Sequence, residues 1–250
     1  MVATLVLFAV SGLILGKTAD LLLPKSYREE PLRSALLRCQ ECRRTVVVRD
    51  AVPLIEALDR GRCAACGARF PLRWLLLPIG CSLAAAACYL EFDNAGQAAV
   101  GTLFSSLLLA LVFTDIERRL LPDRIVLSGM ALAAGLAWLL PEMSAIEALY
   151  GGLVGLGIAV ALILVSLPFG AGAFGMGDAK VILFLGILLG PSSAVVAVFA
   201  STMAAGLFAI VLLATRRRRF GDYLPHGPFL VMGGITGLLW GTEIWDWYAN

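Results

Sequence analysis

Charge is scarce in this chain. Only 15% of its 250 residues are charged, while 60% are hydrophobic and the mean hydropathy is +0.87. Soluble domains run nearer about 45–50% apolar, so a water-soluble globular protein is excluded and an integral membrane protein is expected. No Lys or Arg precedes Lys17. The first apolar run therefore lacks the basic region of a cleavable signal peptide and reads as a retained helix.

Basic residues are also missing from half of the loops. About eight apolar runs are long enough, or nearly so, to cross about 30 Å of hydrocarbon. They cover 1–16, 74–90, 97–114, 124–140, 146–168, 179–190, 192–214 and 226–243. With the N-terminus outside, the inner segments are 17–73, 115–124, 169–180 and 215–225. All 20 Lys and Arg residues fall in or at the edge of these four. The outer side holds Glu91, Asp93, Glu142, Glu147, Glu243 and Asp246 instead, which is the positive-inside pattern. Merging the sixth and seventh runs across Gly190-Pro191 would place Arg216–Arg219 outside, so the two are read as separate crossings. Trp240, Trp245, Trp247 and Tyr248 mark the last outer interface. The fold class expected is an all-α polytopic membrane protein. A first transmembrane helix (1–16) and a cytoplasmic tetracysteine domain (17–73) precede a seven-helix membrane domain (74–250).

Four of the six cysteines form two pairs, Cys39-x2-Cys42 and Cys63-x2-Cys66, in the one long polar stretch. Thiolates at this spacing close a tetrahedral zinc shell, giving a small zinc-ribbon-like domain. Arg38, Arg43, Arg44 and Arg62 favour the thiolate form, and a cytoplasmic position disfavours disulfides. Because all four positions are Cys, the zinc would be structural, with no open catalytic site. Cys81 and Cys88, seven apart in an apolar run, read as packing residues.

Two carboxylates stand where charge is costly unless used. Asp115 ends the third run and Asp178 opens the sixth, within Gly175-Met176-Gly177-Asp178-Ala179-Lys180. Brought together, they would share a proton and activate water, the chemistry of an aspartic protease. Gly175 and Gly177 would let the backbone turn and approach closely. Lys180 would offset negative charge or touch substrate, and Asp123, after Pro122, would cap the fourth helix. Gly170–Gly175 matches GxGxxG but follows a membrane helix instead of a strand, so a dinucleotide site is excluded by context. His226, the only histidine, reads as an interfacial residue in Pro225-His226-Gly227-Pro228-Phe229.

Taken together, these motifs resemble the bifunctional type IV prepilin peptidases (prepilin leader peptidase and N-methyltransferase) of bacteria. The resemblance rests on the paired CxxC motifs, D-x6-P-D (Asp115 to Asp123), G-x-G-D-x-K (Gly175 to Lys180) and P-x-G-P-F (Pro225 to Phe229). It implies catalytic roles for Asp115 and Asp178, with Gly175, Gly177, Lys180 and Asp123 in support. The implied reaction removes the leader from type IV prepilins or type II secretion pseudopilins after a glycine, at the cytoplasmic face of the inner membrane. S-adenosylmethionine would then methylate the new N-terminus where the second activity is retained. Two stretches depart from the family pattern, Gly12 to Leu21 and the acid-free run after Arg69-Phe70-Pro71. Implied partners are the precursor substrates and membrane lipids, and no nucleic acid. The rival reading is a proton-coupled transporter that uses Asp115 and Asp178 as a relay, which requires them near the bilayer midplane.

Overall fold

The computed structural model describes residues 2–26, 66–67, 72–118, 121–169, 174–217 and 226–249. Every regular element among these residues is helical. That follows from the apolar runs, whose backbone groups have to be satisfied within the segment when water is absent. In chain order the helices are α1 (Val2–Ser26), α2 (Arg73–Glu91), α3 (Ala95–Arg118), α4 (Asp123–Leu136), α5 (Ala145–Ser166), α6 (Met176–Ala214) and α7 (Gly227–Ala249). Five contain stretches long and apolar enough to cross a membrane: Val2–Asp20, Arg73–Glu91, Ala95–Arg118, Ala145–Ser166 and Met176–Ala214.

Helix α1 runs past the predicted end of its apolar stretch, through Lys17 and Asp20 to Ser26. Both charged residues are buried, so the helix continues because partners inside the protein hold their charges. Most of the Gly170–Gly175 stretch, residues 170–173, lies outside the described residues.

Helix α6 is interrupted at Gly190, whose φ of 75° is open to glycine at little cost. Pro191 then opens the second arm, where its missing N–H loses nothing. The two arms lie side by side. On α7, Gly234 packs on Leu185 of the first arm, while Gly233 packs on Ala197 and Ser201 of the second. A continuous helix would have carried Ser201 well beyond this contact. The chain therefore reverses at Gly190-Pro191.

Helices α1, α2 and α3 alternate in direction. Helix α1 meets α2 through Gly12 against Cys81 and Ala85 and Gly16 against Pro78, and Phe8 lies against Tyr89 with ring centres 5.1 Å apart. Helix α2 meets α3 through Gly80 against Leu109 and Gly101 against Cys88. Helix α5 starts at an N-cap in which Ser144 Oγ accepts the Glu147 N–H at 3.1 Å. It then runs antiparallel to the first arm of α6. The core lies between α3, α6 and α7, with Phe104, Leu108, Leu111, Phe184, Leu185 and Leu230 fully buried. This packing gathers the end of α3 and the starts of α4, α6 and α7 at one end of the bundle.

The α5–α6 contact is the tightest seam. A Cβ on Gly151 would overlap the Gly186 carbonyl oxygen and fall 2.7 Å from the Gly190 Cα. Backbone touches backbone here, as small residues permit between helices in lipid. Gly151→Ala should lower apparent stability by about 1–3 kcal/mol. Thermal unfolding in detergent checks this, and an unchanged midpoint would contradict the packing described.

Candidate active site

Asp115 occupies the last turn of α3 and Asp178 the first turn of α6. Each is nearly inaccessible, at 4% and 8% exposure. Their carboxyls are close enough for the Asp115 charge to act on Asp178. The structure thus brings together two residues that lie 63 positions apart in the chain (178 − 115).

Each carboxyl is held by the start of a helix. The Asp178 side chain reaches back to the backbone N–H of Gly175, the N-cap of α6. It is the acidic half of a capping box. Asp115 lies against Gly227, the first residue of α7, whose backbone N–H faces its carboxylate. Asp115 Oδ2 has no hydrogen-bond partner among the described residues. Both carboxyls therefore face backbone donors where helix dipoles favour negative charge. One buried oxygen retains its capacity to accept a hydrogen bond.

The supporting residues fall in place around this pair, with two changes of role. Asp123 does not cap α4 through its side chain; Pro122 holds the N-cap position and Asp123 the first turn. Its carboxylate instead accepts from Lys180 Nζ at 2.6 Å, which links the start of α4 to that of α6. The pair is largely exposed, so it aligns two helices more than it stabilises them. Gly175 adopts an ordinary extended conformation (φ −76°, ψ 137°) that demands no glycine. Gly177 is the close approach: a Cβ there would lie 3.1–3.5 Å from the Leu121 side chain. His226 sets its ring edge-on to Phe174, centroids 6.2 Å apart, and its carbonyl accepts the N–H groups of Phe229 and Leu230. Of the four predicted zinc ligands, Cys39, Cys42 and Cys63 lie outside the described residues, and Cys66 is exposed. Gly175 follows helical elements, in keeping with the exclusion of a dinucleotide fingerprint.

Residues 102–210 match the model of the type IV leader peptidase family, and residues 10–92 match the bacterial N-terminal domain of the same peptidases. A prepilin leader peptidase/N-methyltransferase of Pseudomonas putida is 30% identical over 210 residues, covering 83% of this chain and 73% of the relative. The protein of that name from Bacillus subtilis (strain 168) is 27% identical over 245 residues, 96% of both chains. The chain belongs to the type IV leader peptidase family. No solved structure gives a significant match.

For a member of this family, two features of the site were missed in the sequence. Gly227 forms the wall against Asp115, a role that P-x-G-P-F alone does not state. Its position just ahead of Pro228, at a helix start, was the available signal. The second is a buried ion cluster between α1, the start of α2 and the last turn of α3. Arg73 Nε donates to Asp20 Oδ1 at 2.6 Å and Arg73 Nη1 donates to Glu117 Oε2. Lys17 Nζ sits 4.4 Å above the Trp74 ring. Asp20 lies three residues after Lys17, where the apolar run is expected to end, so the sequence alone places it in the segment 17–73.

Proposed function

We propose that this protein is a membrane aspartic endopeptidase that removes the leader from type IV prepilins or type II secretion pseudopilins. The observation that carries the reading is the buried Asp115–Asp178 pair, with Asp115 Oδ2 lacking a partner among the described residues. Two facing carboxyls hold one proton more easily than two charges. The ionised member takes a proton from water as the water oxygen attacks the scissile carbonyl. The protonated member donates a hydrogen bond to that carbonyl oxygen. Collapse of the tetrahedral intermediate breaks the C–N bond, and the leaving amine takes up a proton. The bond follows a glycine and usually precedes a phenylalanine.

The positive-inside pattern and the reversal at Gly190-Pro191 support eight membrane crossings, with the pair facing the cytoplasm of the bacterial inner membrane. The substrate's apolar helix lies among the membrane helices and its leader stays inside. Cys39, Cys42, Cys63 and Cys66 form a donor set that fits a closed, structural zinc. Bound there, zinc would staple a segment too small for a generous core. N-methylation of the new amine, with S-adenosylmethionine as donor, completes the reading. It rests on the relatives' names, and no described residue is assigned to the donor.

Co-expression with a prepilin, followed by mass spectrometry of the product's N-terminus, tests both activities. The expected product lacks the leader and begins just after the glycine, with the mass of one methyl group added where methylation occurs. An intact leader in the presence of the wild-type protein would overturn the peptidase reading. Proton-coupled transport in liposomes without cleavage would favour the relay instead.

A further inference from the structure

The ion cluster around Arg73 lies outside the catalytic pair, yet it grips the helix that carries Asp115. Arg73 is 6% exposed and Asp20 is 1% exposed. A buried guanidinium stays charged and persists only with close partners. It has two. Asp20 belongs to α1, on the entry side of the polar segment, and Arg73 opens α2, on its exit side. The Arg73–Asp20 pair therefore ties the two ends of that segment together. The other arm of the guanidinium holds Glu117, two residues past Asp115 on the last turn of α3. Two residues turn an α-helix by about 200°, so Asp115 and Glu117 leave α3 on opposite sides. Asp115 is applied to Gly227 of α7, and Glu117 is pulled the other way, towards α2 and α1.

We propose that Arg73 is a positioning residue for Asp115. Through Glu117 it fixes the last turn of α3 against the start of α7, and through Asp20 it joins that turn to the base of the polar segment. The inference rests on the proposed peptidase reading, since it assigns Arg73 a part in setting the geometry of the pair. Glu117 is the cleaner handle because its side chain is 31% exposed. Glu117→Gln removes the charge, keeps the shape and leaves Arg73 paired with Asp20. Arg73→Gln removes the hub itself.

Two readouts test this on the full-length protein in detergent or nanodiscs. Prepilin cleavage by Glu117→Gln and by Arg73→Gln should show kcat lowered about tenfold, the scale expected of a small misplacement, with KM little changed. The double variant should be no slower than the slower single, since residues acting as one unit are non-additive. The second readout is the distance distribution between spin labels, introduced as unnatural amino acids at Ile116 on α3 and Met232 on α7, both exposed. It should broaden in Glu117→Gln and in Arg73→Gln relative to wild type. An unchanged distribution would overturn the proposal whether or not cleavage has been observed. A broadened distribution with unchanged kcat would overturn it too, since the cluster would then be structural only. Failure of the wild-type protein to cleave counts against the peptidase reading and leaves the distance measurement to decide on the clamp.

Discussion

Asp115→Asn and Asp178→Asn each lower prepilin cleavage by at least about a thousandfold, and the double variant is no worse than either single, because the two carboxyls act as a unit. Asparagine keeps the size and much of the hydrogen bonding of aspartate, but it neither accepts a proton from water nor holds a charge. Folding should survive. Asp115 Oδ2 is buried without a partner among the described residues, so neutralising it removes a cost instead of a bond. The thermal midpoint in detergent is expected to stay level or rise while cleavage disappears. Cleavage retained by either variant would remove the aspartic mechanism.

Gly227→Ala is the second large effect, and it touches neither carboxyl chemically. A Cβ at Gly227 would stand 2.5 Å from Asp115 Oδ2 and 2.8 Å from its Cγ. No real Cβ sits that close, so either the carboxylate rotates away or the start of α7 retreats. Both outcomes spoil the alignment of the pair, and a displacement near 1 Å costs about a hundredfold in rate. Gly157→Ala on α5 is the natural comparison, since a Cβ there meets nothing within 4 Å. Cleavage assays on the two variants should separate sharply, and near-wild-type cleavage by Gly227→Ala would show that the site tolerates a looser Asp115.

Much of this arrangement was legible before any coordinates. The placement of the basic residues called for a break at Gly190-Pro191, and the chain does reverse there. Asp115 and Asp178 stood out because carboxylates at the edges of apolar runs need a reason. Other features were hidden, each for a physical cause. A charge inside an apolar run reads as its end unless its partner is known. Lys17 and Asp20 therefore concealed the continuation of α1, while the partner, Arg73, lies 53 residues past Asp20. Asp123 resembles an N-cap in sequence because capping and first-turn positions favour the same acid. Only the approach of Lys180 shows which it is. Gly227 carried no periodic signal, since its value is the absence of a side chain at one crossing.

The reversal at Gly190 also sets a length. The first arm of α6, Met176 to Leu189 by the position of the break, has 14 residues (189 − 176 + 1) and rises about 21 Å at 1.5 Å per residue. A hydrocarbon layer is about 30 Å thick. On the eight-crossing reading, this arm is too short to span the layer at full thickness, and Asp178 sits on its first turn. The bilayer has to thin around the arm, or the catalytic end has to sit below the general level of the headgroups. Hydrophobic mismatch thus becomes part of the enzyme's design. On that reading, acyl-chain length in the surrounding lipid would govern how readily water reaches the two carboxyls.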